Sequence, residues 1–488
     1  MRRARLLMLA ALVAGAVVAH AEDWSTTKTV CHDGFSSPKP LAPPQKPEPA
    51  WRLHTLEECG LDFFTLNPVG PALGNIGTGG GMGGGLHAVF QPSANRIWTF
   101  KGLYSINSSN VLSGQYRMVF PPVRKVQAKG RNDRPGQART GQIDETRAKV
   151  DFNVVRIDLH SQDFYGIGPD STLAGHAVYR QQEWWAGVNG YTPLAYAGPF
   201  GVLGVFGEVQ YVKPVIKGVS GDSLPSVVAR YGEGGAPGSL SRPDFVVLGG
   251  GFSIRTPSSK PHIGENHQAA IKYDHYFDTD SGQFAFDRLE GWGDVSLKVL
   301  HSAKSKPGQR FARIDRNDHG DRPWWKDAVC MQTVTGSCEA GTFTFGGRVT
   351  TSYTGRLNEV PFYFQPTLGG ADFDGVDTLR GLVDYRLRAP NRMLMQVDFD
   401  KAIAQIGIKG HPVGQYGLYA FFDAGNVSDT PGGLLDNGLR KDVGVGASIA
   451  IQNKVVLRFY IAFGASEGSH PNAKFGNAFS NGNTAAVP

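Results

Sequence analysis

The sequence lacks any apolar run long enough to cross a bilayer as a helix, for which about 20 residues are needed. The best candidate, residues 194–206, is short and interrupted by glycine and proline. The hydrophobic fraction of 41% is modest for a chain of 488 residues, and the net charge of +6 is small for that length. The composition therefore argues against a helical membrane protein and gives no reason to expect nucleic acid as a partner.

The first residues have the three parts of a secretory signal. Arginines lie at positions 2, 3 and 5, an uncharged apolar run follows over residues 6–18, and Ala19-His20-Ala21 offers small residues for cleavage. We predict a signal peptide over residues 1–21. An exported chain without a spanning helix is a periplasmic or secreted protein, or else a β-barrel.

Cysteine is scarce. The four cysteines after the predicted cleavage site are Cys31, Cys59, Cys330 and Cys338. An even number in an oxidising compartment favours disulfides, and Cys31–Cys59 and Cys330–Cys338 are the pairs that lie near each other in the sequence. Zinc is the alternative, but no C-x-x-C pair is present. We predict no metal and no cofactor.

Proline is concentrated near the N-terminus, with six prolines between residues 38 and 49. Such a composition predicts an extended segment, which we assign to residues 22–77 in the periplasm. The glycine-rich residues 77–85 lack the Gly-Lys-Ser/Thr that would end a phosphate-binding loop. We interpret them as a flexible lead into the first strand.

From residue 86 onward apolar and polar side chains alternate, which is the period of a β-strand. The clearest segment is Val455–Phe463, and Met393–Asp400 and Val443–Ile451 show the same pattern. Soluble sandwiches alternate too, but these segments approach the ~10 residues of a tilted membrane strand. Together with 64 glycines and 11% aromatic residues, they predict an all-β fold, a transmembrane antiparallel β-barrel of about sixteen strands. We assign it to residues 78–479, followed by a tail over residues 480–488.

Three motifs occur in order in the last third of the chain: Pro366-Thr367-Leu368-Gly369-Gly370, Leu379-Arg380-Gly381-Leu382 and Phe421-Phe422-Asp423-Ala424-Gly425. In this order they resemble the outer-membrane barrel-assembly superfamily, the BamA/TamA group, also called the bacterial surface antigen family. The resemblance implies that a loop with an aliphatic-Arg-Gly-aromatic motif folds back into the barrel lumen. Arg380 would then pair with Asp423 of the F-x-D-x-G motif, and Gly381, Phe421 and Gly425 complete the two motifs. Leu382 stands where the family has an aromatic residue.

The strand pattern around Asp423 supports this pairing independently. Tyr419, Phe421 and Asp423 share one face of an alternating segment. A carboxylate facing lipid is costly, so this face is expected to line the lumen. Arginine is the natural partner there, because its planar fork binds a carboxylate through two hydrogen bonds.

The C-terminal region resembles the terminal-strand signal of outer-membrane barrels, carried here by Phe475, Gly476 and Phe479. Relatives in the resembled superfamily carry periplasmic POTRA domains, and residues 22–77 show none. The resemblance therefore implies a barrel-only member in the bacterial outer membrane. Its expected role is insertion or translocation of outer-membrane proteins or passage of lipid, with lipid, client proteins or a separate periplasmic protein as partners.

Two alternatives remain open. A passive diffusion channel, or a surface antigen without a transport role, would need the same barrel. An enzyme is disfavoured, because the 13 histidines are scattered through the sequence. A basic stretch over residues 124–149 is interpreted as a solvated loop, with contact to anionic lipid headgroups as the alternative.

Overall fold

A computed structural model of the chain describes residues 69–475, except for 77–78, 94, 123–146, 198–199, 220–222, 257–266, 302–338, 356–358, 373–375, 409–410, 437, 452–453 and 465–466. The predicted signal peptide, the proline-rich segment up to residue 68, the four cysteines, most of the basic stretch and the C-terminal tail lie outside the described residues. In the part that is described, no helix has the length and apolar content to cross a membrane.

Sixteen antiparallel strands form one sheet in the described residues, and each pairs with its neighbours in chain order. They are β1 (Val69–Asn75), β2 (Met82–Ser93), β3 (Arg96–Ser105), β4 (Asn110–Pro122), β5 (Arg147–Phe164), β6 (Ala177–Tyr196), β7 (Val202–Lys217), β8 (Phe245–Arg255), β9 (His267–Asp278), β10 (Phe286–His301), β11 (Glu339–Thr354), β14 (Asn391–Ile408), β15 (His411–Ser428), β16 (Arg440–Ile451), β17 (Lys454–Gly464) and β18 (Gly468–Phe475). The remaining elements are the short pair β12 (Thr367–Leu368) and β13 (Leu387–Arg388), the helices α1 (Val227–Gly235) and α2 (Gly433–Asp436), and 3-10 turns at Leu173–Gly175 and Phe362–Phe364.

The apolar face of the sheet points outward. In β17, Phe459, Ile461 and Phe463 are each nearly half exposed, at 47%, 47% and 49%, whereas Tyr460 and Ala462 between them are 3% and 0% exposed. A soluble sandwich buries its apolar face, so the pattern here is inverted and suits a wall surrounded by lipid. The strands predicted around residues 393–400, 443–451 and 455–463 are confirmed as parts of β14, β16 and β17.

The sheet curves around the segment between β11 and β14, residues 359–390, which we call the lumen loop. At one point the guanidinium of Arg386 donates to the carbonyl of Ser171, which follows β5, over 2.8 Å. The side chain of Arg386 also forms an ion pair with Glu467, between β17 and β18. β5 lies far from β17 and β18 in the sheet order, so one side chain can contact residues beside all three strands only if the sheet is rolled. The all-β, antiparallel barrel fold with an inward-folded loop is therefore confirmed.

The first strand begins earlier than predicted. The barrel was expected from residue 78, but β1 spans Val69–Asn75 and pairs with β2. Glycine and proline within β1 hide the strand pattern, and Pro71 is tolerated because β1 lies at the end of the sheet order. Ala72 and Ile76 are buried against Leu103 and Leu159, and this packing outweighs the weak local preference.

The loops after β5, β7 and β11 meet at one end of the barrel, which we call the capped end. Helix α1 begins after Ser226, whose hydroxyl accepts a hydrogen bond from the Ala229 N–H over 3.2 Å. Tyr231 of α1 donates to the carbonyl of Gly175, and the Phe362 N–H donates to Pro237 over 2.9 Å. The first part of the lumen loop therefore lies beneath α1, in an aromatic core shared with β5–β8.

Candidate functional site

Arg380 lies at the centre of the lumen loop and is 1% exposed. Its Nε donates to Asp423 Oδ2 over 2.7 Å, and its Nη2 donates to the other oxygen of the same carboxylate. Nη2 also donates to Asp398 Oδ1 over 2.7 Å, and Nη1 donates to the Tyr419 hydroxyl. The backbone N–H of Arg380 adds a fifth bond, to Asp423 Oδ2 over 3.2 Å. The loop is thus joined to the wall by a fork of charge-assisted bonds.

Two neighbouring strands supply the partners of Arg380. Asp398 lies on β14, and Tyr419, Phe421 and Asp423 alternate along β15, so that the period of two directs all four into the lumen. The ring of Phe421 lies 3.8 Å from the guanidinium carbon of Arg380, a cation–π contact. The Tyr419 hydroxyl donates to Asp398 over 2.9 Å, which holds these two of the three acceptors of the guanidinium relative to each other.

The charge of Arg380 is stabilised although the side chain is buried. Burial alone would lower the pKa of the guanidinium, but the hydrogen bonds and charge of Asp423, with the charge of Asp398, hold the pKa above its ordinary value. A buried pair of this kind resists disruption, because removing one member leaves an uncompensated charge at a cost of about 3–5 kcal/mol. The pair therefore fixes the position of the lumen loop.

Gly381 brings the loop backbone against the adjacent strands β16 and β17. Its N–H donates to Asp442 Oδ2 of β16 over 2.8 Å. A Cβ at this position would lie 2.6 Å from the Cβ of Asp442 and 2.8 Å from the nitrogen of Gly464 in β17. Glycine is thus required by close approach of two backbones. The sequence did not indicate either Asp442 or Gly464 as part of the site.

Leu379 and Leu382 occupy an aliphatic cluster rather than an aromatic one. The other buried members are Leu368, Leu387, Ala389, Leu394 and Val427. Leu382 is 5% exposed in this cluster, so the departure from the aromatic residue of the resembled motif is matched by aliphatic surroundings. Gly425 leaves room for the cluster, because a Cβ there would lie 2.7 Å from the Met393 carbonyl and 3.1 Å from Leu368.

Further arginines on the returning part of the lumen loop were missed from the sequence. Arg388 is 1% exposed. It donates to the Phe362 carbonyl over 2.6 Å and to the Tyr179 hydroxyl over 3.2 Å. The rings of Phe164 and Phe362 each lie 5.6 Å from its guanidinium carbon. The signal that would have found it is the close spacing of Arg386, Arg388 and Arg392.

Arg392 and Arg348 share one carboxylate. Asp372 of the lumen loop lies 2.9 Å from Arg348 Nη1 of β11 and 3.3 Å from Arg392 Nη1 of β14. Arg392 also donates to the Thr367 carbonyl over 3.2 Å. The lumen loop is therefore held by ion pairs at its outgoing, central and returning parts.

The structure does not describe the side chains of the other residues predicted for the site. Phe475 is the last residue of β18, with a side chain that is not described, and Gly476 and Phe479 lie outside the described residues. Cys31, Cys59, Cys330 and Cys338 lie outside them too. Within the described ranges no group of three or more His, Cys, Asp and Glu side chains is arranged to hold a metal ion.

Comparison with known proteins gives matches among solved structures alone. No protein-family model matches the chain, and no curated protein matches it. The similar structures include BamA from Haemophilus ducreyi lacking POTRA domains 1–3, at 10% identity and a TM-score of 0.47, covering 84% of this chain and 69% of that one. CdiB from Escherichia coli has 11% identity and a TM-score of 0.48, covering 84% and 62%. CdiB from Acinetobacter baumannii has 12% identity and a TM-score of 0.43, covering 82% of this chain and 57% of that one.

This chain spans less than two thirds of the length of either CdiB chain. It spans 69% of the length of the BamA chain.

Proposed function

We propose that this chain is an outer-membrane β-barrel of the BamA/TamA surface antigen type, whose lumen is occupied by a loop fixed through Arg380. In this proposal it acts in the insertion or translocation of outer-membrane proteins, or in the passage of lipid. The observation that carries the proposal is the bidentate bond between Arg380 of the lumen loop and Asp423 of the wall. The outward apolar face supports the membrane location, since hydrocarbon is the solvent that this face suits.

The lumen loop supports an assembly or translocation role over passive diffusion. A diffusion channel needs a continuous aqueous path, whereas here the loop contacts β14 and β15 through Arg380 and β16 through Gly381. It also contacts the segment after β5 through Arg386. These contacts lie on different sides of the lumen and leave the loop little freedom to clear a path without breaking buried ion pairs.

The two strands at the ends of the sheet order support an opening towards the membrane. Each of these two strands contains a proline, Pro71 in β1 and Pro471 in β18, which cannot donate a ladder hydrogen bond. Strands with missing donors make a weak seam, through which a client strand or a lipid would leave the barrel sideways.

Single-channel conductance in a planar bilayer tests the closed lumen. We expect a small or flickering conductance for the wild type and a larger one for Arg380→Ala. Arg117→Ala is the matched control, because Arg117 pairs with Asp151 between two wall strands and does not contact the lumen loop. A large, steady wild-type conductance that Arg380→Ala leaves unchanged would contradict the proposal and favour a diffusion channel.

A folding assay tests the insertion role. A small unfolded outer-membrane barrel is added to vesicles that contain the full-length chain, and its folding is followed by gel mobility. Vesicles that contain a passive porin control for membrane defects caused by any inserted barrel. We expect faster folding with this chain than with the porin, and equal rates would rule out a role in insertion.

A further inference from the structure

The outer wall of β5, β6 and β7 carries a group of cations near the capped end. We call this group the cationic wall patch, and its members are Arg156, Arg180, Lys213 and Lys217. The strand register places Arg156 opposite Trp184 and Trp184 opposite Lys213, which makes one row across three strands. Arg180 lies opposite Lys217 in a parallel row closer to the capped end.

The patch begins where the apolar surface of the wall ends. Immediately beyond the first row, towards the middle of the barrel, lie Val154, Ala186 and Tyr211 in register. Val154 is 53% exposed, and Val209 of the next row is 52% exposed. Apolar surface followed by Tyr, Trp and then cations is the order expected where hydrocarbon gives way to headgroups.

The arginines of the patch share one carboxylate. Arg180 binds Asp158 through two hydrogen bonds of 2.8 Å. Arg156 Nη2 lies 3.7 Å from the same carboxylate, and its guanidinium carbon lies 5.4 Å from the ring of Trp184. Asp158 carries one negative charge and therefore balances only one of these two positive charges.

The lysines add a further unbalanced charge. Lys213 donates to Asp244 over 2.7 Å and its side chain is half exposed. Lys217 is exposed and donates over 2.8 Å to the amide oxygen of Gln182, which is neutral. Asp280 adds a third carboxylate near Lys213. Four cations thus face three carboxylates, and the remaining positive charge lies at the surface.

We propose that the cationic wall patch binds the phosphate headgroup of a membrane lipid in the leaflet at the capped end. Guanidinium and ammonium groups are suited to phosphate oxygens, and the acyl chains of the same lipid would lie against Val154 and Val209. The inference rests on the proposed membrane location, but not on the role in insertion or translocation.

Lipid retention by the full-length chain tests this proposal. The barrel is reconstituted in vesicles of phosphatidylcholine and phosphatidylglycerol in equal amounts, extracted in mild detergent, and the bound lipids are counted by native mass spectrometry. In the double variant Lys213→Gln/Lys217→Gln we expect the ratio of retained phosphatidylglycerol to phosphatidylcholine to fall by roughly fivefold for each lysine. Both side chains are exposed, so the variant is expected to fold. Lys441→Gln is the matched control, an exposed lysine near the same end of β16, far from the patch in strand order.

The outcomes separate the alternatives. An unchanged ratio in the double variant, or the same loss in Lys441→Gln, would overturn the proposal. Inorganic phosphate distinguishes the sources of the headgroup chemistry: displacement of bound phosphatidylglycerol by phosphate alone would point to a free-anion site and overturn the lipid assignment. Vesicle flotation is measured alongside, because failure of the barrel to float would contradict the membrane location itself.

Discussion

Gly381 of the lumen loop and Gly464 of β17 approach each other so closely that neither accommodates a side chain. A Cβ on Gly381 would lie 2.8 Å from the nitrogen of Gly464, and a Cβ on Gly464 would meet the backbone of Gly381 at a similarly short distance. The contact places the N–H of Gly381 on Asp442. Docking of the loop therefore depends on glycine at two positions that are 83 residues apart, as well as on the ion pair of Arg380.

Replacing Gly381 by Ala is expected to destabilise the docked loop by about 1–3 kcal/mol, because the added methyl must displace two backbones. The measurement is the midpoint of urea unfolding of the refolded barrel, together with the rate at which protease cleaves the lumen loop. Gly291→Ala is the control, since a Cβ at Gly291 meets nothing within 4 Å. Equal shifts in the two variants would show that the close approach has no energetic weight.

The bond between Arg380 and Asp423 is expected to show strong coupling. Arg380→Leu alone should cost about 3–5 kcal/mol, because it leaves Asp423 buried without its partner. Arg380→Leu combined with Asp423→Leu should cost much less than the sum of the single changes. A double-mutant cycle on the free energy of unfolding measures this. Additive costs would mean that the two side chains act independently.

The sequence predicts the central pair but not the rest of the site, for a physical reason. Alternation along β15 fixes the lumen-facing orientation of Asp423, and the motif order identifies Arg380 as its partner. Asp442, Gly464 and Glu467 enter the site because of the path that the loop takes across the lumen. That path depends on which strands face each other in the rolled sheet, and no local pattern records it.

The fold shows the same division. Long strands such as β14, β16 and β17 are predictable, because one face must be apolar throughout. β1 is not, because its residues include Gly70, Pro71 and Gly74, which locally favour turns. It forms a strand through pairing with β2 and the burial of Ala72, and both depend on tertiary context.

The Asp384 carboxyl makes stability depend on pH. Burial raises the pKa of Asp384 to about 6, the charge of Asp163 adds to this, and a hydrogen bond from the Ala371 N–H opposes it. A carboxyl with a raised pKa binds its proton more tightly in the folded state, so stability is lower above about pH 6 and rises as the pH falls towards the ordinary value of 3.8.

Asp384→Asn is expected to remove this dependence. The amide carries no charge at any pH and retains the oxygen that accepts from Ala371. We expect the free energy of unfolding to rise by roughly 1–2 kcal/mol at neutral pH. This figure is smaller than the full pKa shift implies, because partial solvent access screens the charge. Thermal unfolding of wild type and variant between about pH 4 and 7 measures it. If the free energy of unfolding changes with pH in this range in the same way for wild type and variant, the assignment is contradicted.

Leu382 offers a test of how the site has adapted to an aliphatic residue. Leu382→Phe restores the aromatic ring of the resembled motif, but the buried surroundings here are Leu368, Leu379 and Leu387, together with Val427. Because Leu382 is buried within this cluster, the larger ring is expected to overpack it and to cost about 1–3 kcal/mol. Leu382→Met, which conserves volume, is the matched control and should cost less than about 1.5 kcal/mol. Urea unfolding distinguishes the two. A Leu382→Phe barrel as stable as the wild type would show that the cluster can accept a ring, and the departure from the motif would then have no structural consequence.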